Sequence, residues 1–308
     1  MTTITVDGRD VDISNPDKVL FPDSGLTKQE LADYFRRIAD RMLPFVEDRP
    51  VTMHRYPDGI DTGGFYQHKA EDFYPSWVDR VEIRKREGGM IPQVVCNHAA
   101  TLVYLANLAC ITPHVWLSRA PHLERPDRLI IDLDPPGDDF GPVRRAARTV
   151  HDFLKERLDM EAFVMTTGSS GLHLVVPLRG DREFDDVRAF ARELTERVAE
   201  ENADALTTEI RKAKRRGRVF LDTARNAYGQ TAVPPYSPRA RPGAPVATPL
   251  DWSELGDGDL DARKYTVRNI FRRLGQKDDP WAHMARRRYS LDKAVEKLRA
   301  MRPDGQDG

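Results

Sequence analysis

The stretch "IIDLDPPGDD" (residues 130–139) sets two aspartates, Asp132 and Asp134, either side of one leucine, directly behind an apolar run. Residues i and i+2 of a strand share a face, so this spacing aims both carboxylates the same way while Leu133 points to the other side. Two carboxylates that close repel each other and raise one pKa unless a cation lies between them. A divalent metal ion is the usual remedy. Pro135-Pro136-Gly137 ends the strand at once and leaves the pair at its mouth, where ligands bind in α/β architectures. Taken alone, the stretch also reads as a solvated strand end whose aspartates serve a turn.

A second segment separates these readings. "RVFLD" (218–222) delivers Asp222, again at the end of an apolar strand and followed by a break. Three strand-end aspartates are what a two-metal nucleotidyl-transfer site requires. Asp132 and Asp134 would bridge both ions, and Asp222 would hold the one that activates an attacking 3′-hydroxyl. "TTGSSGLH" (166–173) adds a turn of small residues whose N–H groups and serine hydroxyls can approach phosphate oxygens, with His173 on the adjoining strand. Most such turns are plain hairpin turns. From Glu209 to Arg241 there are nine Lys/Arg and two acidic residues, and "RKAKRRGR" (211–218) leads directly into the third aspartate. Against a net charge of −1 for the whole chain this is a strong local asymmetry. It argues for a phosphate backbone beside the metals; the alternative is a solvated basic loop. In "GGFYQHK" (63–69), Phe65 and Tyr66 can stack on a base, although by default one of them belongs to a core.

Composition bounds these readings. The chain has 308 residues, 40% apolar and 31% charged, which suits a globular protein with a sizeable core. No apolar run reaches the length of a membrane span. The start, "MTTITVDGRD", is polar and does not read as a signal peptide. Two cysteines, Cys96 and Cys110, make no disulfide framework, which fits the cytoplasm. Near-zero net charge excludes a global polyanion binder, and any nucleic-acid contact must rest on local patches. Cys96, His98, Cys110 and His114 fall within 19 residues, but without the paired cysteine knuckle of a zinc site. Two core thiols, a helix-start histidine and a separate site histidine fit better.

The remaining pattern is mixed α/β. A T-x-x-E capping box (Thr27, Glu30) opens a helix with Leu31, Tyr34, Phe35 and Ile38 as its apolar stripe. Strands are expected at "PVTMHR", "HVWL", "RLIIDLD" and "RVFLD", and a hairpin at "AFVMTT" and "LHLVVPL". Helices are expected in "NHAATLVYLANLAC", from Gly141 to about Arg157, and in "DDVRAFARELTERVAEEN". Residues 227–249 should be irregular, the last 50 residues mostly helical, and "RPDGQDG" frayed.

Taken together, "NPDKVLFPDSGLTKQEL", "RYPDG", "RPDRLIIDLDP", "TTGSSGLHLVVPL" and "FLDTARNAYGQTAVPPYSPRARPGAPVATPLDW" resemble the polymerase domain of bacterial ligase D, a member of the archaeo-eukaryotic primase superfamily. The resemblance runs in order over roughly residues 10–280. No nucleotidyl-lysine ligase motif is seen, so a stand-alone form is expected. That form is one primase-polymerase domain over 1–308, with a polar helical tail at about 283–308. The resemblance implies an RRM-like catalytic sheet, antiparallel or mixed, with a companion lobe and flanking helices. It implies template-directed nucleotide addition with two Mn²⁺ or Mg²⁺ ions, a preference for ribonucleotides, and the filling of short gaps at broken DNA ends. Expected substrates are NTP or dNTP and DNA with gaps or ends carrying a 5′-phosphate; a Ku-like end-binding protein and a DNA ligase are expected partners.

By the same resemblance, Asp132, Asp134 and Asp222 are the metal ligands, with His114 near the incoming nucleotide. His54, Ser169, His173 and Arg239 lie at nucleotide-contacting positions. Phe65 and Tyr66 match an aromatic pair on the template base. Lys18 and Lys28 match lysines that hold a 5′-phosphate, and Arg215 a basic loop residue that arranges primer or template. Three departures stand out: Ser170 replaces a lysine in the turn, His54 replaces a more basic residue, and "ITPH" (111–114) lacks a glutamate. Two rivals remain, a metal-dependent phosphodiesterase and a catalytically weak module that binds or bridges DNA ends. Clustered negative charge gains a mere binder nothing, and a triphosphate pocket gains a hydrolase nothing.

Overall fold

The computed structural model describes residues 1–85 and 88–301. The expected fraying of "RPDGQDG" (302–308) lies outside the described residues. The chain divides into two compact units. The first takes Met1–Pro121, Thr231–Thr248 and Arg263–Lys277; the second takes His122–Gln230, Pro249–Ala262 and the segment from Asp278 onward.

The first unit opens with a hairpin, β1 (Thr2–Val6) and β2 (Arg9–Ile13). Its turn residues Asp7 and Gly8 have φ of 51° and 67°. Two positive values in a two-residue loop match the right-handed twist of the flanking strands. The Asp-Gly pair between alternating residues was the signal for this hairpin, and a reading of the segment as merely polar passes over it. A short ladder of β3 (Val19–Phe21) and β4 (Leu26–Thr27) leads into α1 (Lys28–Val46). The capping box is formed: the Glu30 N–H donates to Thr27 Oγ1 at 3.2 Å, and the Thr27 N–H donates to Glu30 Oε2 at 2.8 Å. Leu31, Tyr34, Phe35 and Ile38 are all buried.

The strands that follow are β5 (Pro50–Arg55), β6 (Phe65–Gln67), β7 (Arg80–Arg84) and β8 (Met90–Val95). The apolar α2 (Ala99–Asn107) packs on α1. β9 (Cys110–Trp116) starts four residues before the expected "HVWL". All seven of its residues are buried, and a strand with two covered faces shows no alternation to mark its start.

The second unit contains β10 (Arg128–Asp134), α3 (Gly141–Leu158), β11 (Phe163–Thr166), β12 (Leu172–Pro177), α4 (Phe184–Glu201), β13 (Leu206–Thr207) and β14 (Val219–Asp222). After these, β15 (Thr231–Ala232) pairs with β9 in the first unit, completing the order β15-β9-β5-β8-β7. β16 (Pro249–Leu250) pairs with β11 in the second unit. α5 (Ile270–Gln276) belongs to the first unit and α6 (Leu291–Ala300) to the second.

The second unit's sheet runs β13-β14-β10-β12-β11-β16, antiparallel except for β13 with β14. Leu129, Ile131 and Leu133 alternate along β10 and are wholly buried, on the strand that α3 and α4 cover. Each contributes roughly 2 kcal/mol of burial. A slip of one residue would bury the aspartates in their place, so this core sets the register of the acidic face. The expectation of a mostly helical C-terminal stretch is not met. Among the described residues there, only α5, of seven residues, and α6, of ten, are α-helical. "GDGDLD" (256–261) favours turns, and Pro280 cannot continue a helix. Among the described residues no helix is long and apolar enough to cross a membrane.

Candidate active site

Asp132 on β10 is paired across the ladder with His173 of β12 on one side and Asp222 of β14 on the other. Asp134 lies two residues on, opposite Phe220. Directly opposed residues carry their Cβ atoms about 5 Å apart on the same face. The three aspartates and His173 therefore share one surface of the sheet. Asp132 is buried, its Oδ2 lying 3.4 Å from His173 Nε2 and 3.8 Å from Arg225 Nε. Asp222 Oδ1 accepts the N–H of Ala224 at 2.7 Å. Asp134 Oδ2 lies 3.9 Å from Arg215 Nη1. Burial, and then the Asp132 charge, push the Asp134 carboxyl above the usual range; Arg215 opposes the shift and Asp222 adds to it.

Among the described residues, no three His, Cys, Asp or Glu side chains are already drawn together as a metal-coordinating group. The aspartates instead lean on guanidinium, imidazole and N–H partners. The donor set nevertheless fits hard divalent cations such as Mg²⁺ or Mn²⁺: three carboxylates on one face, with mutual repulsion that the neighbouring guanidinium groups offset in part and a cation would relieve further.

The turn between β11 and β12 is built on Thr167, which sequence reasoning passed over. Its Oγ1 accepts the N–H of Ser169 at 3.3 Å and of Gly171 at 3.2 Å, and its own N–H donates to the Gly171 carbonyl at 3.0 Å. Ser169 is half-buried and Ser170 exposed. Gly171 sits against β10 so closely that a Cβ there would lie 2.0 Å from the Leu133 carbonyl oxygen. That carbonyl belongs to the sheet backbone, so it cannot swing away. Gly171→Ala is therefore expected to cost about 3 kcal/mol, the upper end for overpacking, and to lift the turn from the aspartates. Urea denaturation checks the first effect and nucleotide affinity the second. Ser170→Lys, at an exposed position, should leave the unfolding midpoint unchanged.

Two more groups organise this face. Arg215 does not extend from its loop. Its Nε and Nη2 donate to the Glu209 and Ile210 carbonyls at 3.1 and 3.0 Å, and its Cζ lies 3.9 Å over the Phe220 ring. Asn226, fully buried, takes up β10 where β14 leaves off. Its Oδ1 accepts the Ile130 N–H at 2.9 Å, and its Nδ2 donates to the Ile130 and Thr223 carbonyls at 2.7 and 2.9 Å. Asn226 thereby fixes the loop that carries Arg225 to Asp132. An asparagine four residues beyond a strand, in "DTARN", looks like any loop residue, and nothing in its spacing distinguishes it.

In the first unit, Tyr66 stacks on His54 with ring centroids 4.1 Å apart, and His114 lies 5.8 Å from Tyr66 and 6.2 Å from His54. Pairing of β5 with β9 and with β6 brings these rings to one face. Phe65, the next residue, turns to the other side, 5.4 Å from Arg55. Both Phe65 and Tyr66 are exposed, so the expectation that one is core is not met; β6 is a short flap paired with one end of β5. The YSPR segment is tied to β9 by Thr112 Oγ1 donating to the Pro238 carbonyl at 2.7 Å, which carries Arg239 toward His54.

Burial, and secondarily the Arg239 charge, lower the His54 pKa to about 4. The imidazole should stay neutral in NMR titration until well below pH 6. Unfolded chains take up this proton near pH 6.5. The stability His54 contributes is thus complete above pH 6.5 and lost as pH falls toward 4.

Lys18 Nζ pairs with Asp58 Oδ1 at 2.6 Å. Lys28 is buried, its Nζ donating to the Asn107 carbonyl at 3.0 Å and Ser14 Oγ at 3.2 Å; burial and then Lys18 lower its pKa. Cys96 and Cys110 lie in the core, and burial raises both thiols, Cys110 to about 12.

Residues 27–281 match the family model described as LigD, primase-polymerase domain. The chain belongs to the LigD primase-polymerase family. This is a family of nucleotidyltransferases, and metal dependence goes with it. The chain is 33% identical over 289 residues to the "Multifunctional non-homologous end joining protein LigD" of Pseudomonas aeruginosa, covering 92% of this chain and 34% of that protein. The protein of the same description from Mycolicibacterium smegmatis is 33% identical over 253 residues, covering 81% and 33%. The chain thus spans about a third of the length of these LigD relatives. A solved structure, "Polymerase Domain from Mycobacterium tuberculosis Ligase D in complex with DNA", superposes with a TM-score of 0.84 at 30% identity, covering 91% of this chain and 99% of that one. The mixed α/β architecture is that of the LigD polymerase domain.

Proposed function

We propose that the chain is a template-directed DNA-dependent primase/polymerase that extends 3′ ends at gaps and breaks during end joining, preferring ribonucleotides. The observation that carries this reading is the row His173–Asp132–Asp222, with Asp134 beside it, on one face of the second unit's sheet in a member of a primase-polymerase family. In the reaction a primer 3′-hydroxyl attacks the α-phosphorus of a nucleoside triphosphate, a new phosphodiester bond forms and pyrophosphate leaves. Asp132, Asp134 and Asp222 would hold two divalent cations, Mn²⁺ or Mg²⁺, which when bound lower the pKa of the 3′-hydroxyl and neutralise triphosphate charge.

The protein's own groups do the rest. The Thr167-braced turn presents Ser169 and backbone N–H groups to phosphate oxygens. His173 holds Asp132 in orientation through their contact. Arg215 and Arg225 balance the acidic face while no substrate is present. In the first unit, Tyr66 on its His54 support offers a stacking surface to a template base, Arg239 and His114 serve the incoming nucleotide, and Lys18 and Lys28 serve a 5′-phosphate. A cytoplasmic, nucleoid-associated setting follows from such a substrate, with a Ku-like protein and a DNA ligase as partners before and after this step.

Incubation with a 5′-labelled gapped duplex, Mn²⁺ and NTPs tests the proposal. Extension of the labelled strand supports it. Shortening would assign a phosphodiesterase, and a shifted but unaltered strand would assign an end-binding module.

A further inference from the structure

On the first unit, α5 and the segment before it form a groove of about 450 Å³ lined by Lys264, Tyr265, Arg272, Arg273, Gln276 and Lys277. Four cations line it and no carboxylate does. That composition is unusual in a chain with 49 acidic and 48 basic side chains, where a merely solvated face carries both signs. One of the cations is held in place before any ligand arrives. Arg273 Nη1 donates to Tyr265 Oη at 2.8 Å, and the guanidinium carbon lies 4.5 Å from the centre of the same ring. Rigid guanidinium groups lose little freedom on meeting a phosphate.

The groove's place on the unit gives it a meaning. Arg268, one turn before Arg272, donates to the Ser24 carbonyl at 2.9 Å and lies 3.5 Å from Glu30. Phe271 packs 5.7 Å from Tyr34 and beneath Arg37. These contacts seat α5 beside the first turns of α1. Lys18 and Lys28 meet at that same end of α1, where the Lys28 N–H donates to the Lys18 carbonyl at 2.8 Å. A duplex whose 5′-phosphate reached these lysines would continue past α5.

We propose that the α5 groove binds the phosphate backbone of the downstream duplex, beyond the 5′-phosphate of a gap. The inference rests on the nucleotidyltransferase reading above and adds to it a duplex-holding surface on the first unit. Contacts of this kind carry affinity and register but no base sequence.

The test is fluorescence anisotropy on two 5′-phosphorylated gapped duplexes that differ only in the downstream arm, one of roughly 10 base pairs, about a helical turn, and one cut to about three. Arg272→Gln with Lys277→Gln should weaken binding to the long-arm substrate about tenfold and reduce its log–log salt slope by about 2. Binding to the short-arm substrate should stay within about twofold of the parent. Arg272 is exposed, and Arg272→Gln alone, with the parent's melting midpoint, should show half the slope change. Equal loss on both substrates, or none on either, overturns the inference alone when both proteins still extend the short-arm primer. A parent protein that neither binds nor extends either substrate overturns the underlying reading as well.

Discussion

Asp134→Ala is expected to abolish the proposed primer extension, by a factor on the order of 10³ or more, while DNA affinity is kept. The size follows from losing a charged group that organises developing negative charge, where even one neutral donor is worth about 10² to 10³. The retained affinity follows from sign: removing a carboxylate from a phosphate-facing surface relieves repulsion. Stability adds an independent mark. Burial and two neighbouring carboxylates raise the Asp134 pKa, so its ionised form strains the metal-free fold at neutral pH. Asp134→Ala without metal should therefore melt no lower than the parent, and higher if the lost Arg215 contact is weak. A reaction rate like the parent's would remove the functional assignment of this face.

Asn226→Leu should be the most destabilising single change near the site without touching a metal ligand. It removes two buried hydrogen bonds and one part-buried one, and leaves the Ile130 N–H and carbonyl without their side-chain partner. Each stranded backbone group costs about 1–3 kcal/mol, so a loss of roughly 4 kcal/mol is expected in urea denaturation. Activity should fall as well, because the loop bearing Arg225 loses its anchor to β10. A loss below about 1 kcal/mol would show that the clamp is incidental.

These two residues also mark what was legible in the sequence. The aspartates could be read because strand alternation turns an i, i+2 spacing into a shared face, and a proline pair fixes where the strand stops. The convergence of Asp222 with Asp132 was inferable only as a requirement of the chemistry; the pairing that achieves it is a long-range ladder between segments about 90 residues apart, with no local trace. Asn226 and Thr167 are invisible for a related reason: both act through backbone groups, and any sequence may supply those. Gly171 was visible as a turn residue, but its close approach to Leu133 is a tertiary fact. Phe65 and Tyr66 looked like a pair, yet adjacent strand residues face opposite ways, and only Tyr66 joins His54 and His114. The misjudged C-terminal stretch failed differently, because polar composition favoured helix while Gly, Asp and Pro spacing favoured turns.

The most direct test of the account is the anomalous scattering of Mn²⁺ in a crystal of the protein with a non-hydrolysable nucleoside triphosphate. The account predicts manganese within about 2.0–2.6 Å of carboxylate oxygens from Asp132, Asp134 and Asp222, the range for hard-cation ligands. Manganese bound to the nucleotide but away from these side chains, or with Asp222 outside the coordination shell, would contradict it.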